Sequence, residues 1–267
     1  MIERLRQLAR GDAERVGTKA ANLGELSRLG LPVPDGFVID QQSASAFQNQ
    51  VATEGLDAET NRLILDAFHD LRADRVAVRS SANVEDSDAS SFAGVFESIL
   101  NVGADGLVKA VIRCWSSAAT ARVLAYSDAR GVLPTEIRVA VIVQVMVDAD
   151  AAGVCFTSDP VTGDETRPYV EIVSGLGDAL VAGRAAPDAY SFDSNSGRVV
   201  TIERGRNGAG DAVDLAMITR IVTESCRIRA HFGQPQDVEF AVEGGNIHYL
   251  QTRPISFRGS DDSRRDK

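Results

Sequence analysis

Ten residues near the middle of the chain, RVAVIVQVMV (138–147), admit few folds. The run is almost unbroken in apolar, largely β-branched side chains, so it has no polar face to present to water and reads as a central strand of a sheet. Segments of helical periodicity lie on both sides of it in the sequence, which makes the chain α/β. TKAANLGELSRLG spaces Ala20, Leu23 and Leu26, with Leu29 or Leu31, along one helix face, and Gly30 suits its C-terminal cap. VPDG (33–36) is a turn signal ahead of a short strand, FVI. A second helix is expected over about 60–71, followed by a strand VAVR (76–79) and a small, polar loop SSANVEDSDASSFAG that ends at Gly94. VFESILNV is a further strand, and residues 105 to about 126 read as one long helix or two short ones.

Beyond the central run, AAGVCFTSDP and RPYVEIVSGLG each begin as a strand and end in a polar or glycine-rich turn. AYSFD and RVVTIE flank SNSG as a peripheral hairpin, and a helix is expected from about 211 to 231. DVEFAV and IHYLQ form the last hairpin. A length of 267 residues allows one large domain or two smaller ones.

Charge and cysteine usage narrow the function classes. The net charge of −10 argues against a nucleic-acid backbone or an anionic membrane as partner, although a local pocket on an acidic protein can still be positive. The opening MIERLRQLARGD lacks a signal-type apolar core and no run of 18 apolar residues follows, so a cytoplasmic location is expected. Cys114, Cys155 and Cys226 make an odd count without CxxC spacing, which favours neither a disulfide framework nor zinc. The basic residues are nearly all arginine; Lys19 is one of three lysines, with Lys109 and Lys267.

Chemistry is expected where strands deliver polar residues. In the closing hairpin FAVEGGNIHYLQTRP, a three-residue loop Gly244-Gly245-Asn246 sets Glu239 across from Gln251 on one face, a pair of oxygen ligands suited to a divalent cation, with Arg253 one alternation further to meet a polyanion. A two-residue loop instead puts Glu239 opposite Leu250, and a solvated sheet edge is the plainer reading. Arg79 ends an apolar strand beside Ser80 and Ser81, either as a guanidinium clamp with hydroxyl donors or as the partner of Glu85 or Asp86. Gly94 in SFAG allows backbone to approach a phosphate, and is equally suited to an ordinary loop. Glu171, flanked by apolar residues in YVEIV, either receives hydroxyl groups or faces water. SGLGDALVAG is glycine-rich but matches neither the P-loop nor GxGxxG.

Taken in order, GTKAANLGEL, LPVPDGFVI, VAVRSSANVEDSDASSFAGVFESILNV, VIVQVMV, AGVCFTSDPVTG, EIVSGLGDALVAG and DVEFAVEGGNIHYLQTRPI span residues 17 to about 255. Their joint occurrence resembles the N-terminal nucleotide-binding domain of the phosphoenolpyruvate synthase and pyruvate phosphate dikinase family, which includes rifampicin phosphotransferase. The resemblance implies an ATP-grasp fold, in which two α/β lobes close on Mg-ATP. The lobes are expected at 1–130 and 131–257, with a polar tail at 258–267.

Carried over residue by residue, the resemblance makes Lys19, Arg79 and Arg253 the catalytic grip on the phosphates and Glu239 and Gln251 the Mg2+ ligands. It places Ser80 and Gly94 beside the nucleotide, Glu171 at the ribose, and Gln144, Met146 and Val147 along the adenine. Asp178 stands where many relatives have glutamate, and the stretch between Val38 and Asp74 is short. The family's carrier-histidine motif is not matched by His69, His231 or His248, of which His248 is expected to alternate away from the ligand face. The expected acceptor is therefore a histidine on a separate carrier protein, or else a small molecule. The initiating Met and charged tail suggest a free-standing chain, with an excised domain as the alternative.

Overall fold

The computed structural model describes residues 1–41, 56–83, 86–87, 90–91, 97–117, 137–194 and 196–255. Two compact units make up the chain, Met1–Met146 and Val147–Lys267. Each is an α/β unit built on its own antiparallel sheet.

The first sheet contains β1 (Ile2–Arg4), β2 (Gly36–Ile39), β3 (Val76–Ala82), β6 (Ser98–Val102) and β7 (Val139–Val145) in the order β1-β2-β7-β3-β6. The short strands β4 (Asp86–Ser87) and β5 (Ser90–Ser91) pair separately. β7 is the apolar run, and it lies between β2 and β3 as an inner strand. Both of its faces are covered. Val139, Val141 and Val143 pack with Phe37, Ile39, Val76 and Val78 in a core completed by Ile64 and Phe68 of α2 (Ala58–His69) and by Leu107, Val111 and Trp115 of α3 (Ala104–Ser116). Ala140 and Ile142 point the other way, into a core with Val38, Leu5 and Leu8 and with Val16, Ala20 and Leu23 of α1 (Ala13–Arg28). An antiparallel strand covered by helices on both sides has no use for polar alternation, which is why the run is almost continuous. Because β7 pairs within the first sheet, the division expected after residue 130 falls after Met146.

α1 is interrupted at Gly17, whose φ of 78° and ψ of 158° leave the helical region. Helix resumes at Thr18 and ends at Arg28; Gly30, just beyond the Leu29 cap, takes the left-handed conformation suggested by its position. The expected continuation of α3 toward Tyr126 lies outside the described residues beyond Ser117, as do Gly94 and the tail 258–267.

The second sheet is formed by β8 (Ala151–Phe156), β9 (Tyr169–Ser174), β10 (Asp188–Asp193), β11 (Arg198–Glu203), β12 (Gln236–Glu243) and β13 (Asn246–Pro254), in the order β11-β10-β9-β8-β12-β13. One turn of helix, α4 (Asp178–Val181), follows β9. α5 (Leu215–Phe232) begins where the Asp214 carboxylate accepts the Met217 N–H and stops at left-handed Gly233. It packs on β8, β9 and β12 through buried Ile218, Ile221 and Ile228. The Tyr249 hydroxyl donates to Glu224 Oε2 at 2.6 Å, tying β13 to the same helix. Tyr249, its neighbour Phe240 and the Val238 row therefore face α5, and alternation sends Asp237, Glu239 and Ala241 to the opposite face.

Candidate functional site

In the first unit the candidate cations are held where α1 restarts against β3. A Cβ on Gly17 would lie 2.3 Å from the Ser81 carbonyl oxygen and from its Oγ, so helix and strand make backbone contact there. The Ser81 hydroxyl accepts the Ala20 N–H at 3.1 Å, and the Lys19 ammonium donates to the Ser80 carbonyl at 3.0 Å. Arg79 pairs in register with Ile142, whose side chain lies in the α1-facing core, so the guanidinium leaves the sheet on the face that α1 covers. Lys19 and Arg79 are both partly buried.

Ser80 does not serve as a hydroxyl donor beside Arg79, whereas Ser81 shares the Arg79 face. Ser80 points to the opposite face, fully buried, and donates to the Cys114 carbonyl at 3.3 Å with Ser117 Oγ also at 3.3 Å. Neighbouring residues on a strand face opposite sides, so an Arg-Ser pair cannot place both side chains at one ligand. Gln144 is likewise engaged: its amide donates to the Pro34 carbonyl at 3.2 Å in a buried position. The Met146 N–H donates to Arg75 O at 3.1 Å, and the Met146 side chain is partly buried.

In the second unit Glu239 does stand opposite Gln251, but not by the expected route. The loop has two residues, Gly244 and Gly245, with φ of 54° and 78°, and Glu243 pairs with Asn246. Both positive values suit a tight hairpin turn. The register then slips by one residue, so that Phe240 faces Tyr249 and Glu239 faces Gln251, leaving Leu250 as the extra residue of a bulge. One consequence overturns an expectation: His248 faces Ala241, and so shares the face of Glu239 and Gln251 instead of alternating away from it.

The same register extends the row across the sheet. Glu239 faces Val154, and Val154 faces Glu171, so Glu171 lies on the face of the proposed ligands, two strands away. Burial raises the Glu171 carboxyl above the usual carboxylate range, with a hydrogen bond to Tyr169 acting against it. Beside the row lies an apolar patch of Val147, Ala152 and Ala241 with Leu250 packed against it.

One residue of the face was missed by sequence reasoning. Asp237 pairs with Arg253 across β12 and β13, and its Oδ2 accepts from Arg253 Nε at 2.8 Å and Nη2 at 2.7 Å. The signal was available, because Asp237 is one alternation from Glu239 just as Arg253 is from Gln251. Burial raises the Asp237 carboxyl, the Arg253 charge opposes that shift and the Glu239 charge adds to it. Asp237 Oδ1 is buried without a hydrogen-bond partner among the described residues. The hairpin thus sets two carboxylates, an amide and a guanidinium on one face.

Among the described residues no group of three or more His, Cys, Asp or Glu side chains is placed to hold a metal. Burial pushes the Cys114 thiol up to about 11 and the Cys155 thiol up to about 12, which keeps both protonated and poor as ligands or nucleophiles. No helix among the described residues is long and apolar enough to cross a membrane.

A family model described as "Pyruvate phosphate dikinase, AMP/ATP-binding domain" matches residues 13–73 and 48–267. The chain belongs to that family. Within it, a probable phosphoenolpyruvate synthase of Archaeoglobus fulgidus is 35% identical over 310 aligned positions, which cover 94% of this chain and 41% of that protein. One from Methanothermobacter thermautotrophicus is 32% identical, covering 95% of this chain and 46% of the relative. A rifampicin phosphotransferase of Streptomyces sviceus is 32% identical, covering 94% and 35% respectively. The AMP/ATP-binding domain described here spans less than half the length of each of these relatives. The 310 aligned positions exceed the chain's 267 residues, so the Archaeoglobus protein has segments without a counterpart in this domain.

Proposed function

We propose that this domain is an ATP-grasp phosphotransferase component, whose two lobes close on Mg-ATP and which passes a phosphoryl or pyrophosphoryl group to a histidine on a separate carrier protein. The observation that carries the reading is the grouping of Glu239, Gln251, Asp237 and Arg253 on the face of the second sheet away from α5, next to the apolar patch of Val147, Ala152, Ala241 and Leu250. In a member of an AMP/ATP-binding family, such a face can receive a base on its apolar part and a metal-bound polyphosphate on its polar part.

The donor set fits Mg2+. That ion keeps several waters and takes one or two carboxylates together with phosphate oxygens, so Glu239 and Gln251 would suffice without an all-protein cage, and Asp237 Oδ1 adds an unpartnered buried acceptor nearby. Bound Mg2+ would supply neutralisation of the phosphate charge. Arg253, held by Asp237, presents a planar fork suited to phosphate oxygens. Lys19 and Arg79 would supply the remaining positive charge, and Glu171, which shares the face of Glu239, would accept hydrogen bonds from the ribose hydroxyls. Gln144, Met146 and Val147 lie at the end of the central run, where the adenine edge would meet backbone. Lobe closure would exclude water that otherwise hydrolyses the donor.

Incubation with Mg-ATP and candidate acceptors, followed by phosphorus NMR, tests the proposal. AMP with phosphate marks the dikinase course and ADP marks ordinary kinase stoichiometry. A phosphohistidine on an added carrier protein supports the reading. Turnover only with a small molecule replaces it with direct phosphorylation, and nucleotide binding without turnover reduces the domain to a binding module.

A further inference from the structure

Two adjacent serines follow Arg79, and the hydroxyl of each makes a hydrogen bond within the fold. Ser80 is accounted for by the core around Cys114. Ser81 is different. It is fully buried on the α1 side of the sheet, opposite Ala140, and its hydroxyl accepts the Ala20 N–H at the start of the helical segment that follows Gly17. The first amides of a helix have no partner within it, so an oxygen supplied from outside fixes where the helix begins. Here that oxygen comes from a residue 61 positions away, on the strand that also presents Arg79.

Three contacts at this junction agree. Gly17 brings the backbone against Ser81 at a distance no Cβ would allow, Ser81 Oγ takes the Ala20 N–H, and the neighbouring Lys19 reaches the Ser80 carbonyl. Lys19 lies between Gly17 and Ala20 in the sequence, so its backbone is clamped on both sides by Ser81. We propose that Ser81 is a positioning residue: its hydroxyl fixes the start of the helix so that the Lys19 ammonium is presented in register with Arg79 toward the nucleotide phosphates. The role rests on the nucleotide-binding reading given above and deepens it. Ser81 itself touches no substrate in this account.

The prediction is a coupling. Loss of the Ser81 hydroxyl should weaken ATP binding through Lys19 and only through Lys19. Calorimetric titration of Mg-ATP into wild type, Ser81→Ala, Lys19→Ala and the double variant reads this directly, with melting temperatures recorded in parallel. Because truncation at a buried site can prevent folding, the isosteric pair Ser81→Thr and Ser81→Val isolates the hydroxyl at constant shape. Ser81→Ala should bind about tenfold more weakly than wild type, and Ser81→Val about tenfold more weakly than Ser81→Thr. Both losses should shrink to less than about twofold in a Lys19→Ala background. A loss that persists at full size without Lys19, or Ser81→Ala and Ser81→Val proteins that bind as well as their hydroxyl-bearing counterparts, overturns the role. Wild type that does not bind ATP overturns the nucleotide-binding reading and this role with it, a failure visible before any variant is compared.

Discussion

Gly17 and Gly245 have the same φ of 78°, one at the restart of α1 in the first unit and the other in the hairpin loop of the second. Their surroundings are opposite. A Cβ at Gly17 would strike the Ser81 backbone, whereas at Gly245 nothing lies within 4 Å. The contrast separates two ways of fixing the position of a charged side chain. The first unit positions Lys19 by tight helix-to-strand packing, so its geometry depends on volume. The second positions Glu239, Gln251 and Arg253 by strand register, with a two-residue turn followed by a bulge, so its geometry depends on counting residues.

Replacement of Gly17 should expose this difference most strongly. Gly17→Ala combines strain at positive φ with a collision against a strand and is expected to destabilise the first unit by about 4 kcal/mol, read by urea unfolding. A change within a few tenths of a kcal/mol would show that helix and strand can move apart freely, and the packing half of the comparison would fail.

Arg253 tests the register half in two ways. Arg253→Ala removes the partner of a buried carboxylate and should cost about 3 kcal/mol. The pH dependence has a definite sign. Asp237 is raised by burial, and a raised carboxyl contributes stability that is present at low pH and lost as pH rises through its folded value. Without the opposing Arg253 charge the shift grows, so the gap between variant and wild type should widen from about pH 4 to about pH 8. A gap of equal size at both values contradicts this. Arg253→Lys keeps a charge for Asp237 but loses the planar fork. Turnover should fall about a hundredfold, equivalent to about 3 kcal/mol, with ATP affinity and melting temperature much less affected. Near-normal turnover would leave Arg253 as the partner of Asp237 alone.

How far the sequence disclosed this arrangement depends on which physical rule was needed. β7 was legible because burial on both faces removes polar alternation over a whole strand. The pairing of Glu239 with Gln251 was expected from a three-residue loop, and the real route, a two-residue loop and a bulge at Leu250, leaves no mark in the pattern because Leu250 is apolar in either register. His248 was consequently assigned to the wrong face. The Ser80 misplacement and the missed Asp237 are of another kind, since strict alternation along β3 and β12 already separates Ser80 from Arg79 and groups Asp237 with Glu239. The contact of Gly17 with Ser81 joins residues 64 positions apart and belongs to tertiary packing alone.

The smallest effect completes the comparison. Gly245→Ala meets no neighbour and should cost only about 1 kcal/mol, from the left-handed backbone of a non-glycine residue. Equal losses at Gly17 and Gly245 would mean that φ, not packing, dominates at both sites.

The central claim is that the hairpin face binds a metal-bound nucleotide. Calorimetric titration of ATP into the wild-type chain, with Mg2+ present and again after thorough chelation, tests it most directly, with Glu239→Gln measured beside it. The account predicts tighter binding with Mg2+ in wild type and a much smaller difference in the variant; equal wild-type affinity with and without the metal would contradict it.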